Sequence, residues 1–150
     1  MNQINLRIFL DTSVLFAAVL SPTGGARKLF LLAEGRFIRL VVGPTVLKES
    51  DEVIRRKAPG SLPILAQLLA AAQMETSAAP TKSQIKAAQA YVRYPPDARV
   101  LAEAIHAKPD WFVTHDKEHF LRSSGKFNLP FEVGTPGDLL QTFKDNFTLL

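Results

Sequence analysis

The chain has 150 residues, 47% of them hydrophobic and 21% charged, with no cysteine. That length and balance point to one globular domain able to bury its own core, and they exclude disulfides and thiolate zinc sites. Eighteen Lys and Arg against 14 Asp and Glu leave a net charge of +4 and a pI near 9.6, which suits a polyanionic partner and equally a mildly basic, soluble surface.

The chain opens on a β-branched and aromatic segment, residues 6–10, that reads as a buried strand, followed by a short helix from Ser13 to Leu20. Asp11 interrupts this apolar stretch and no basic leader precedes it, so no export signal is expected. After Gly24-Gly25 a second helix spans about 26–33, with Gly35 placed for a C-terminal cap, and residues 38–42 form the next strand. Thr45 can cap a helix running to Arg56 or Lys57, which Pro59-Gly60 stops. Helices over about 62–73 and 82–90 flank a loop rich in Ala, Ser, Thr and Pro. The apolar residues 64–72, broken by Gln67, are too few to span a bilayer, so a soluble protein of the cytoplasm, not bound to membrane, is expected. Asp97 then opens a helix to about Ala107, residues 111–114 form a strand, 117–122 a helical turn, 131–133 a last strand, and Pro136 starts a terminal helix through Phe143. Strands alternating with helices predict an α/β fold: a central, mainly parallel sheet with helices on both faces.

In such a sheet ligands bind beyond the carboxyl ends of the strands. Asp11 and Asp116 each follow a predicted strand, although either also suits a helix cap or a turn. Asp97 is more telling. At 100° per residue it falls near the centre of the stripe formed by Val100, Leu101, Ala104 and Ile105, so its carboxylate faces inward and needs a partner, for which a metal ion and the helix N-terminus are both candidates. The helix from Thr45 carries Glu49, Asp51 and Glu52 around a stripe of Val46, Leu47, Ser50, Val53 and Ile54. Glu52 points away from that stripe, whereas Glu49 and Asp51 flank it equally, and periodicity does not choose between them. His106, His115 and His119 lack the spacing of a helical zinc site and read as structural or exposed. There is also no phosphate-binding loop ending in Gly-Lys-Ser/Thr, no GxGxxG and no GxSxG.

Four pieces taken in order resemble the PIN-domain family, in particular the bacterial VapC-like ribonucleases that act as toxin components of toxin–antitoxin pairs. They are Ile8-Phe-Leu-Asp11-Thr-Ser-Val-Leu15, Val42-Gly-Pro-Thr-Val-Leu-Lys-Glu49, Asp97-Ala-Arg-Val-Leu-Ala-Glu-Ala104, and Phe112-Val-Thr-His-Asp116 followed by His119-Phe120. The resemblance implies a three-layer α/β/α sandwich and selects Glu49 over Asp51. It implies that Asp11, Glu49, Asp97 and Asp116 gather one or two Mg²⁺ or Mn²⁺ ions, which prefer oxygen ligands. It also implies RNA as substrate, cleaved by a metal-activated water, with a small antitoxin and a homodimer as expected assemblies. Thr12 departs from the family pattern, in which many relatives carry Asn or another small residue. Ser13 and Thr114 are candidate supporting hydroxyls, and Arg27, Lys48, Arg99 and Lys117, all near the acids, are candidate contacts to RNA phosphates.

Two alternatives stand beside this reading. A haloacid-dehalogenase-like phosphatase also begins with a strand and an Asp, but its second Asp would fall where this chain has Ser13. A PIN-fold RNA-binding or regulatory protein with little catalysis is the other, and the intact set of four acids weighs against it.

Overall fold

The last three residues of strand β1 (Leu6–Leu10) are fully buried, so neither face of this strand meets solvent there. Such a strand belongs in the middle of a sheet. β2 (Ile38–Val42) pairs with it on one side and β4 (Trp111–Val113) on the other, both parallel. β3 (Glu75–Thr76) adds beyond β2 and β5 (Glu132–Gly134) beyond β4, giving a five-stranded parallel sheet of order β3-β2-β1-β4-β5. The computed structural model describes residues 5–118, 120 and 129–148.

The helices are α1 (Thr12–Leu20), α2 (Gly25–Glu34), α3 (Pro44–Lys57), α4 (Leu62–Ala71), α5 (Lys82–Ala88), α6 (Pro95–Ala107) and α7 (Pro136–Thr148), with a 3₁₀ turn at Pro59–Ser61 before α4. With the sheet they form the three-layer α/β/α arrangement expected from the alternation of elements. No single helix among the described residues is long and apolar enough to cross a membrane. The main core joins Ile8, Phe9 and Leu10 to Leu15, Leu29, Val41, Leu101 and Phe112. Phe112 stacks on Phe9 at 5.7 Å between ring centroids and meets Phe120 edge-on at 4.9 Å.

This topology positions a site. The chain steps outward from β1 through β2 to β3, then returns to lay β4 on the other flank of β1. The direction of winding therefore reverses between β1 and β4, and at such a reversal the connections part and leave a crevice beyond the strand ends.

Several local expectations are corrected. The segment predicted as an Ala/Ser/Thr/Pro loop contains β3, which is only two residues long and polar, so it carries no alternating pattern. A charged clamp holds it: the Arg7 guanidinium donates to Glu75 Oε1 and Oε2, each at 2.8 Å, and also to the carbonyl of Ala107. Gly35 does not adopt the left-handed conformation after α2; Arg36 does, at φ 67°, donating its N–H to the Ala33 carbonyl. Thr45 does not cap α3, because Pro44 starts the helix and Gly43 occupies the cap position. Likewise α6 begins at Pro95 and not at Asp97, and α7 extends five residues past Phe143 to Thr148. The predicted turn over 117–122 is helical at 117, 118 and 120; its remaining residues, His119 among them, lie outside the described residues.

Candidate active site

β1 ends at Leu10, and the next residue, Asp11, serves as the N-cap of α1. Its backbone N–H continues the sheet by donating to the Val113 carbonyl at 3.0 Å, which fixes the residue at the winding reversal between β1 and β4. The Asp11 side chain is 9% exposed. Its Oδ1 accepts the Thr12 N–H at 2.9 Å, and its Oδ2 accepts the Thr114 hydroxyl at 2.7 Å and the Ser13 hydroxyl at 3.3 Å. The two candidate supporting hydroxyls thus both bind Asp11. Burial pushes the Asp11 carboxyl above the ordinary carboxylate range, the three hydrogen bonds pull it back, and the charge of Asp97 raises it further.

Glu49 comes to the same place from α3. Its Oε2 accepts the hydroxyl of Thr12, the residue beside Asp11, at 2.8 Å. Burial raises its carboxyl, the Thr12 hydroxyl lowers it, and the charges of Asp11, Asp97 and Glu52 raise it. Asp51, the competing acid of this helix, turns outward and pairs with Arg55 one turn on. The departure at Thr12 therefore has a use here, since its hydroxyl bridges the Asp11 segment to Glu49.

Asp97 lies in the first turn of α6, half-buried, and its charge acts on both Asp11 and Glu49. Three acids from three separate elements thus stand within electrostatic reach of one another. Asp116, exposed in the turn after β4, is linked to the group through its backbone N–H, which donates to the Thr114 hydroxyl at 2.9 Å. Among the described residues no three His, Asp or Glu side chains are as close as the shell of one cation demands. The donor set, oxygen throughout and with two of its members raised chiefly by burial, fits a hard divalent cation in chemistry, with local closure still required.

The four candidate phosphate contacts have different surroundings. Lys48 and Arg99 are exposed, each within two residues of an acid of the site. Arg27 is committed to the fold, donating to the carbonyls of Ala18 at 2.7 Å and Val19 at 3.3 Å at the end of α1. Lys117 pairs with Asp138 at 2.7 Å, which holds that carboxyl below the ordinary range together with the Thr135 backbone. Among the histidines, His106 faces Gln84 at 3.2 Å and His115 is exposed.

Sequence reasoning did not single out Glu103 on α6, which is 2% exposed. Its Oε1 accepts the Thr45 N–H at 2.7 Å. The available signal was its setting, since Ala98, Ala102 and Ala104 let other elements pack closely around this helix and leave an acid there no route to water.

Comparison with known proteins agrees with this architecture. A model of the PIN domain matches residues 7–118. A chain in the crystal structure of VapBC2 from Rickettsia felis bound to a DNA fragment from their promoter superimposes with a TM-score of 0.64 at 15% identity, covering 85% of this chain and 97% of that one. The crystal structure of PAE2754 from Pyrobaculum aerophilum gives 0.60 at 14% identity, covering 94% and 97%. No curated protein matches the sequence. The family model spans β1 to the turn after β4 and so takes in Asp11, Glu49, Asp97 and Asp116. The chain belongs to the PIN-domain family.

Proposed function

We propose that the protein is a metal-dependent endoribonuclease. The observation that supports this reading is that Asp11, at the end of β1, Glu49 of α3 and Asp97 of α6 lie within electrostatic reach of one another at the winding reversal of a parallel sheet. Carboxylates that repel one another cost stability, and a cation repays that cost when it binds. Asp11, Glu49, Asp97 and Asp116 would hold Mg²⁺ or Mn²⁺. When bound, the ion supplies a water of lowered pKa and neutralises charge on the phosphodiester.

The chain's own residues hold the groups in place. Thr114 and Ser13 keep one Asp11 oxygen oriented, the Thr12 N–H fixes the other, and the Thr12 hydroxyl sets the reach of Glu49. Lys48 and Arg99 receive RNA phosphates on either side of the cleft. The reading includes a small antitoxin as partner, supported by the likeness to VapBC2.

The test is cleavage of a mixed RNA pool by purified protein with Mg²⁺, with Mn²⁺ and with chelator. Metal-dependent products that vanish with chelator and in Asp97→Asn are expected. Binding of RNA without cleavage under every metal condition would return a non-catalytic RNA-binding protein instead.

A further inference from the structure

α3 has no cap of its own. Gly43 at its start has no side chain and Pro44 has no N–H, so Thr45 brings the first free donor, and Glu103 takes it. The Glu103 carboxylate lies directly over Gly43, where a Cβ would overlap it. Its second oxygen, Oε2, is buried with no hydrogen-bond partner among the described residues. A leucine would fill the same space without the cost of desolvating a carboxylate. What the carboxylate supplies and an apolar side chain does not is an acceptor aimed at the positive end of α3.

The consequence lies one turn along. Glu49 follows Thr45 by four residues, so whatever fixes the first turn of α3 fixes where Glu49 emerges. Glu103 sits on α6, the helix that also carries Asp97, about 9 Å further along its axis at 1.5 Å per residue. The charge of Glu49 acts on it, and it ties together the two helices that bring Glu49 and Asp97 to Asp11. We propose that Glu103 is a positioning residue that sets the reach of Glu49 toward Asp11 by holding the first turn of α3 against α6. This rests on the ribonuclease reading for its catalytic consequence but not for its structural one.

The test uses Glu103→Leu, which removes the acceptor, Glu103→Asp, which withdraws it by one methylene, and Glu103→Gln, which keeps the acceptor and removes the charge. Three quantities are read in the intact protein: amide hydrogen exchange over residues 45–49, the NMR shift of the Thr12 methyl beside its bond to Glu49, and kcat and KM for RNA. In Glu103→Leu and Glu103→Asp, exchange should accelerate, the Thr12 methyl should shift, and kcat should fall on the order of tenfold to a hundredfold, as for a group misplaced by about 1 Å. KM should change far less. Glu103→Gln should restore all three. Should the leucine variant not fold, the aspartate variant decides. A folded variant that is less stable yet keeps the Thr12 shift and the wild-type kcat would make Glu103 an ordinary core residue and overturn the proposal. If wild type cleaves no RNA, the ribonuclease reading fails by itself, and exchange and the Thr12 shift alone decide for or against Glu103.

Discussion

Asp11 is both a helix cap and the most buried acid of the site, and its two duties share one set of hydrogen bonds. Thr114 contributes most directly, because its fully buried hydroxyl donates to Asp11 and accepts from the Asp116 N–H. Thr114→Val should cost about 1–3 kcal/mol by removing both hydrogen bonds of a buried hydroxyl, and should lower RNA cleavage while KM stays near wild type. Denaturant titration and steady-state kinetics check the two halves. The raised carboxyls also set a pH dependence whose sign follows from linkage. Unfolded, Asp11 titrates near 3.8 and Glu49 near 4.5; folded, both lie higher. Between the ordinary and the raised values the folded chain holds protons that the unfolded chain has released, so stability falls as pH rises through that window. Glu75, lowered by Arg7, and Asp138, lowered by Lys117, act oppositely and lose their contribution as pH falls. In chelator, Asp11→Asn should therefore gain melting temperature over wild type as pH rises from 4 to 7. A constant difference across that range would contradict the raised Asp11 carboxyl.

At the scale of elements, what the sequence made legible was whatever depends on apolar periodicity. β1, β2, β4 and most helices stand where their patterns put them, and Asp97 lies toward the acids because its stripe faces inward. What was illegible depended on contacts between distant segments. Glu49 and Asp51 flank the α3 stripe equally, so periodicity leaves them alike, and in the fold the arrival of Thr12 distinguishes them. β3 pairs through a clamp from Arg7, 68 residues away, and the cap of α3 comes from Glu103, 58 residues away. Two substitutions test these connections. Gly43→Ala would drive a methyl into the Glu103 carboxylate and should destabilise by about 1–3 kcal/mol, the usual cost of overpacking, read by denaturant titration. Arg27→Ala should cost about 1–3 kcal/mol through the carbonyls of α1 that it leaves unpaired. If Arg27 instead serves RNA, its loss would weaken binding and spare stability.

For the whole molecule, the proposed reading joins the winding reversal beside Asp11 to a chain whose net charge of +4 suits a polyanionic partner. Lys48 and Arg99 are the exposed cations adjoining the acids, so Lys48→Glu with Arg99→Glu should weaken RNA binding most at low salt and flatten the salt slope. An unchanged slope in a binding titration would assign these charges to solubility alone. Divalent metal should raise the melting temperature by mass action, by an amount equivalent to about 2.7 kcal/mol at a hundred times Kd. The most direct measurement is a Mn²⁺ binding isotherm, read by the loss of the free-ion electron paramagnetic resonance signal, for wild type, Asp11→Asn and Asp97→Asn. The account predicts saturable binding by wild type with affinity reduced at least tenfold in each variant, since an amide keeps the shape of the side chain and loses its charge. Equal binding by all three proteins would contradict it.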